Sequence, residues 1–411
     1  MKLLSHRTPA TAVVACPDCG AVQRIPALDL GDLAECRRCG RTLERSADLS
    51  LTVALAWSTT VLLLLFPANI FPLMSASVPG RVHEATLASA ISAVWSDGWP
   101  MMALMLGAFI LVLPFVWAAL RTLVLAIVHT DWRPRWLGPV FRIEQAIQLW
   151  AIPEVLVVAG FVVYMRTAAQ TSGHVETGGW CLIAAGIIST IGRRIFTAET
   201  VWQEILPERE VPVGASPVSC EVCEMILPSS HEGEPCPRCR RRLRLRKTDS
   251  LSRTAALVVA GYVLYFPAYY YPMSYTLRMG SVRERTIMDG VRLLFQANFW
   301  YLAVIVIVAS ICIPFLKLVG MTWLIVSVHR RADTHMALKT RVYRAIHSIG
   351  RWSYVDPLIV ALSIPLLSFS GFVSVHMDIA ALPFALVVVV TMLAARTFDP
   401  RLLWDVAEGR T

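Results

Sequence analysis

The chain repeats itself, and the repeat governs everything else that it can fold into. With an offset of 200, Cys36 and Cys39 fall on Cys236 and Cys239, and Phe66, Pro67, Ala68 and Pro72 fall on Phe266, Pro267, Ala268 and Pro272. Glu84, Thr86, Pro114 and Val128-His129 likewise meet Glu284, Thr286, Pro314 and Val328-His329. Two residues are then gained and register continues at 202, where Arg142, Trp150, Glu154, Arg194, Phe196 and Trp202 meet Arg344, Trp352, Asp356, Arg396, Phe398 and Trp404. Chance does not hold register from Cys36 to Trp202. This is a gene duplication, and any architecture must be built twice.

What is duplicated is mostly apolar. The 411 residues are 56% hydrophobic and 16% charged, against about 25% charged for a soluble globular chain. A membrane span needs about 20 apolar residues, and each half offers four runs of that kind. The first half places them near 51–73, 99–128, 148–168 and 178–197, the second near 252–273, 299–328, 353–371 and 376–395. The second run of each half is long enough to project beyond a bilayer. The start, MKLLSHRTPA, leads into a polar cysteine segment and not into a secretory h-region.

An even number of spans per half points both halves the same way, as parallel repeats about an axis along the membrane normal. Segments 129–147, 193–209, 238–253, 330–351 and 396–411 hold 23 Lys and Arg, whereas 74–98, 169–177, 274–298 and 372–375 hold five. By the positive-inside rule the first set, with both termini and both cysteine segments, is cytoplasmic. The net charge of +9 thus reflects topology and does not call for nucleic acid. The tract RCRRRLRLRK (Arg238–Lys247) reads as a stop-transfer signal and anchor to anionic lipid, ahead of a nucleic-acid ribbon.

Eight of the ten cysteines form knuckle pairs. Cys16, Cys19, Cys36 and Cys39 read CPDC and CRRC; Cys220, Cys223, Cys236 and Cys239 read CEVC and CPRC. Two residues between cysteines let both thiolates of a tight turn face one ion, and two such turns complete a tetrahedron. A reducing compartment argues against disulfides. Four sulfurs leave no open position, so the role is structural, and zinc is favoured over rubredoxin-like iron because no redox partner site is visible. The remaining Cys181 and Cys312 lie alone in apolar runs and read as buried small hydrophobes.

Ionisable residues at membrane depth are functional candidates by default. Lys317 stands in VIVIVASICIPFLKLVG, with Ser310 two turns earlier and Ile313 between them. Asp356 opens the next span in GRWSYVDPLIVA, and its counterpart Glu154 sits in QLWAIPEVLVVA. Arg121 and Arg166, near span ends, can snorkel. Lys317 and Asp356 are an ion pair that pins two helices, two groups that merely lie near the cytoplasmic interface, or a charge relay, proton or head-group site at the inner end of a pathway. Lys317 aligns with Trp117, so only one half is so equipped, which tips the reading toward function.

The stretch FPANIFPLM (Phe66–Met74) breaks the first span, with Phe66, Pro67, Asn69 and Pro72. FPAYYYPMS repeats the break with Phe266, Pro267 and Pro272. Proline removes a backbone donor and ends a helix nearby, so both breaks are expected at the non-cytoplasmic mouth of the two modules, as plain helix terminators or as part of a pathway. Phe266 and Trp352 read as packing residues.

Paired four-cysteine ribbons ahead of four-span modules, FPAxxxPxM at the first exit, GRWSYVDP opening a later span and RTFDPRLLWD (Arg396–Asp405) at the end together resemble the paraquat-inducible protein A family, especially its lipophilic envelope-spanning tunnel A branch. The resemblance covers nearly the whole chain. It implies an inner-membrane protein of Gram-negative bacteria that moves phospholipid between that membrane and a periplasmic tunnel partner built of MCE domains. It also implies cytoplasmic zinc ribbons and a polar network in the second module coupled to protons, matched here by Ser310, Ile313, Lys317 and Asp356. Three features depart from the pattern: Asp356 is followed by a proline, Glu154 stands where an aspartate is expected, and Ala151 where a lysine is.

The expected fold is therefore an all-α polytopic membrane protein of two tandem parallel repeats. Each is a small β-rich four-Cys zinc ribbon followed by a four-helix transmembrane module. The expected domains are a first ribbon (1–48), a first module (49–198), a linker with the second ribbon (199–250), a second module (251–398) and a cytoplasmic tail (399–411). No GxxxxGK[ST] loop, HExxH or nucleophile–base pair is present, so the chain reads as a transporter subunit and not an enzyme. The alternative is a membrane-anchored metal or redox sensor that uses the ribbons.

Overall fold

The computed structural model describes the chain except residues 1–10, 27, 30, 46–50, 79–80, 131, 152, 169–171, 208–216, 279–280, 297, 299, 351–357, 360–372 and 410–411. The first ribbon is two antiparallel hairpins, β1 (Thr11–Ala15) with β2 (Val22–Pro26) and β3 (Leu33–Glu35) with β4 (Thr42–Arg45). The first module follows as α1 (Leu51–Ile70), β5 (Met74–Val78), β6 (Arg81–Ala85), α2 (Leu87–Ser96) and α3 (Pro100–Gly107). A π-helical turn over Ala108–Val112 then leads into α4 (Leu113–Val128), α5 (Leu137–Gln148), α6 (Pro153–Ala168), β7 (Ser172–Val175), α7 (Thr177–Ile195) and α8 (Ala198–Ile205).

The second half repeats this order. Its ribbon contains β8 (Pro217–Ser219) paired with β9 (Ile226–Pro228). Its module runs α9 (Ser250–Tyr270), β10 (Ser274–Arg278), β11 (Ser281–Arg285), α10 (Ile287–Gln296) and α11 (Trp300–Val306). After a second π turn over Ile307–Cys312 come α12 (Ile313–His329), α13 (Met336–Ile349), β12 (Val373–Met377), α14 (Ala381–Thr397) and α15 (Arg401–Ala407).

Among the described residues, five helices are long and apolar enough to cross a membrane: Leu51–Ile70, Pro100–Val128, Leu137–Met165, Ser250–Tyr270 and Ala303–His329. Two bent pairs, Thr177–Arg193 with Ala198–Ile205 (69°) and Ala381–Thr397 with Arg401–Ala407 (44°), bring the number to seven. The eighth expected run, 353–371, lies almost wholly outside the described residues. In each module the last span packs along the first, α7 on α1 and α14 on α9. Polar residues of α1 are satisfied within the helix: the hydroxyls of Ser58, Thr59 and Thr60 donate to carbonyls three or four residues back at 2.8–3.0 Å, so they cost little in an apolar setting.

The proline breaks convert helix into sheet. Pro67 lies in the last turn of α1, Phe71 N–H closes on the Pro67 carbonyl at 2.9 Å, and Pro72 turns the chain into β5. That strand is the centre of an antiparallel sheet in the order β6–β5–β7, and β10 is the centre of the equivalent β11–β10–β12. Each sheet thereby ties the end of the first span to the start of the second and the last. The second break is built alike: Ala380 N–H donates to Pro272 O (3.2 Å) as Gly178 N–H does to Pro72 O (3.0 Å).

The modules share a core. Ala381, Ala385, Val388 and Met392 of α14 lie in one buried cluster with Leu106, Val155 and Leu156 of the first module, and His376 meets Asp97 at 2.9 Å. The ribbons cross over. The first ribbon's cysteines are buried with Met336, Tyr343, Ile346, Leu403 and Trp404 of the second module. The second ribbon's cysteines are buried with Val124, Leu137, Phe141, Val201 and Trp202 of the first. The first ribbon is thus joined to the first module and packed on the second, whereas the second ribbon lies between the two modules in sequence and packs on the one before it, with Glu221 also reaching Arg401 of the second module.

Candidate functional site

Each knuckle turns on a left-handed residue just after its second cysteine. These are Gly20 (φ 71), Gly40 (φ 65), Glu224 (φ 58) and Arg240 (φ 61). That residue's N–H returns to the carbonyl of the first cysteine at 2.8–3.0 Å, which folds both thiols to one side. The four sulfurs of each set lie within 4.8 Å of one another, with closest pairs at 3.5 Å. A tetrahedron with metal–sulfur bonds of about 2.3 Å has edges near 3.8 Å, so both sets fit one tetrahedral ion each. Hydrogen bonds from the Cys16 and Cys19 thiols hold Cys39 down to about 4, and those from Cys220 and Cys223 hold Cys236 well below the usual thiol range. All ten cysteines are free thiols. Cys181 and Cys312 are half-buried, less enclosed than a core position.

The ribbons are held by matched arginines. Arg344 of α13 donates to Cys39 O (2.5 Å) and Gly40 O (3.1 Å) and pairs with Asp18 at 2.8 Å. Its counterpart Arg142 of α5 donates to Cys239 O at 3.0 Å. Asp18, 1% exposed, also takes the Arg41 guanidinium.

Within the spans, Lys317 is 3% exposed on a face shared with Ser310, Pro314, Leu318 and Met321. Ser310 lies inside the second π turn, and Ile313 is half-buried at the turn's end. Two tyrosines of α9 reach the same turn: Tyr265 donates its hydroxyl to Ile311 O at 3.3 Å and Tyr269 to Ser310 O. A π turn re-aims backbone carbonyls, and here two of them accept from tyrosine hydroxyls about two helical turns before the buried Lys317. Asp356 and Trp352 lie outside the described residues.

The first module fills the same face differently. Trp117 occupies the place of Lys317, and Arg121 and Arg193 lie over its ring at 4.9 and 5.1 Å. Glu154 does not face the Lys317 set; it pairs with Arg193 (3.4 Å) and accepts from Ser189 (3.3 Å). Arg121, expected to snorkel, is 5% exposed because Glu144, wholly buried, takes it at 2.8 Å. Phe266 is 65% exposed and stacks on Tyr270, so it faces the surroundings and is not core packing. Phe66 is equally outward at 60%, whereas Asn69 turns back to donate to Leu65 O at 2.8 Å.

Comparison with known proteins adds a lineage. The profile of paraquat-inducible protein A matches residues 51–206 and again 251–408. The chain belongs to the paraquat-inducible protein A family. The intermembrane transport protein PqiA of Escherichia coli (strain K12) is 29% identical over 406 residues, 95% of each chain. The lipophilic envelope-spanning tunnel protein A of the same strain is 28% identical over 420 residues, covering all of this chain and 95% of its own. A probable intermembrane transport protein of Haemophilus influenzae is 25% identical over 97% of both chains. No solved structure matches.

In this family member, RTFDPRLLWD is a clasp. Asp399 takes the Arg401 side chain at 2.8–2.9 Å and the Lys247 N–H at 3.1 Å. Asp405 takes Arg246 in a two-pronged pair at 2.5 and 2.6 Å, and Trp404 Nε1 donates to Thr340 at 3.1 Å. The motif therefore binds the tract after the second ribbon to the end of the last span. Sequence reasoning missed Tyr265 and Tyr269. Their signal was the contrast between LYFPAYY (264–270) and LLFPANI (64–70), which places a hydroxyl in one half where the other has Leu65 and Asn69.

Proposed function

We propose that this chain is the membrane-embedded subunit of an intermembrane lipid carrier, moving phospholipid between the inner membrane and a periplasmic partner built of MCE domains. The relatives, intermembrane transport proteins by name, support transport between membranes. The observation that carries the reading for this chain is the buried Lys317 beside a π turn whose carbonyls face Tyr265 and Tyr269. A cation held out of water at span depth is retained where it handles charge. Its ammonium suits a lipid phosphate, Ser310 and the tyrosine hydroxyls supply neutral hydrogen bonds, and Asp356 is the acid that would exchange a proton with it.

Zinc is the ion that suits two closed sets of four thiolates. Cys16, Cys19, Cys36 and Cys39 hold one, and Cys220, Cys223, Cys236 and Cys239 the other, with a structural role. The ribbon side, rich in Lys and Arg, is the cytoplasmic side, and the two sheets face the periplasm and receive the partner.

Photo-crosslinking in cells to labelled phospholipid, with the probe at Ile313, tests the reading. A crosslink above that at the outward-facing Leu316 (63% exposed), lost in Lys317→Ala at unchanged protein level, is expected. Equal labelling at both positions would reduce Lys317 to a structural cation and end the transport assignment for this set.

A further inference from the structure

A cavity of about 630 Å³ lies between the second ribbon and the ribbon-side ends of the spans, and every charged residue lining it except Glu221 is basic. Arg240, Arg241, Arg242 and Arg244 follow the last metal cysteine. Arg253 projects from the first turn of α9, and Arg396 from the last turn of α14. Glu221 is engaged elsewhere, with Arg401 at 3.5 Å.

The duplication supplies an internal control. The first ribbon forms the same knuckles with Gly40, Thr42 and Glu44 where the second has Arg240, Arg242 and Arg244. Metal binding therefore does not require these arginines. Arg240 takes the left-handed backbone (φ 61) that Gly40 takes in the first ribbon (φ 65). In the first ribbon Asp18 neutralises Arg41 and Arg344. The corresponding knuckle position in the second ribbon is Val222, and the counterpart arginines, Arg241 and Arg142, both line the cavity. The first ribbon's arginines share a buried carboxylate, whereas at the second the basic residues outnumber the nearby carboxylates, Glu221 and Asp249, the latter pairing with Arg253 at 3.9 Å.

We infer that this cavity binds a polyanion carrying two or more phosphates, seated at the depth where the spans begin. Guanidinium forks match phosphate oxygens two at a time, and such a ligand relieves the crowding of like charges. Because Arg253 and Arg396 stand at span ends, the ligand that fits best is the head group of a diphosphate lipid; a soluble diphosphate shares its chemistry. The site is remote from Lys317 in sequence and element, so its test and the crosslinking test fail independently.

The full chain is purified alongside Arg240→Gly/Arg242→Thr/Arg244→Glu, which installs residues with which the first ribbon already folds. Both are placed in phosphatidylcholine nanodiscs with and without cardiolipin, and thermal midpoints and retained cardiolipin are measured. Each basic residue near an anionic surface contributes a factor of roughly five, so the variant should retain cardiolipin about a hundredfold more weakly at equal metal content. Inorganic pyrophosphate should compete with the lipid on the wild-type chain. Pyrophosphate binding without any cardiolipin response would assign the site to a soluble diphosphate. Equal cardiolipin retention by both proteins, or tighter binding of an RNA oligonucleotide than of either probe, would overturn the proposal. If the variant loses metal, the wild-type competition decides: no displacement by pyrophosphate and no shift with it overturns the proposal as well.

Discussion

A buried charge is held by its partner, and Arg121 depends on Glu144. Both side chains are almost wholly enclosed, at 6% and 0% exposure, and Gln145 donates a further bond to Glu144 at 3.0 Å. Removing one member leaves the other charged and desolvated, which costs about 3–5 kcal/mol. Glu144→Ala should therefore lower the unfolding midpoint of the purified protein strongly, while Arg121→Met/Glu144→Leu, which removes both charges, should recover most of the loss. Gly138 is a second sensitive point, because a β-carbon there would stand 1.9 Å from the Arg238 carbonyl of the second ribbon. Overpacking of this order costs about 1–3 kcal/mol. Gly138→Val should displace that ribbon from α5, seen as protease cleavage near Arg238 with the first ribbon still protected.

At the scale of elements, the proline break and the π turn are each built twice, yet serve the halves differently. Both breaks end a helix and open the central strand of a sheet, so the sheets depend on backbone donors in β5 and β10. Proline in a central strand removes a ladder bond and is tolerated essentially at edges only. Ala76→Pro in β5 should lower the urea midpoint and release β7 with it, whereas His83→Pro in the edge strand β6 should lower it less; the two midpoints, compared, test this. The break was legible in FPANIFPLM because proline acts on its own few residues. The sheet it feeds was not, since Met74–Val78 pairs with a strand about a hundred residues later. The knuckles were legible for the same local reason, as cysteine spacing fixes a turn. The π turns were hidden because Ala108–Val112 and Ile307–Cys312 carry ordinary apolar sequence, and the tyrosines that answer the second turn lie on another helix.

For the whole molecule, crossing of the ribbons is the feature that binds two copies of one gene into one structure. A tandem duplication read along the chain assigns each ribbon to the module that follows it. The buried clusters assign it to the other, and nothing in spacing or hydropathy distinguishes the two arrangements; Arg142 and Arg344, one per ribbon-side helix, hold the matching knuckles. The consequence is reciprocal. Disruption of the first four-cysteine cluster should be felt in the second module, because Cys39 is held from α13 and Arg38 lies 4.4 Å over the Trp404 ring of α15. Cys16→Ser/Cys19→Ser should raise amide exchange across 336–349 and 401–407 by about tenfold or more, equivalent to about 1.4 kcal/mol of local stability, and leave 137–148 and 198–205 near their original rates. Cys220→Ser/Cys223→Ser should reverse the pattern. If each pair instead loosened the module that follows it in sequence, the ribbons would stabilise their own halves and the crossed packing would carry no energy. Under the expected outcome neither half can lose its metal without weakening the other, so the duplicated chain folds as one cooperative unit and not as two modules in series.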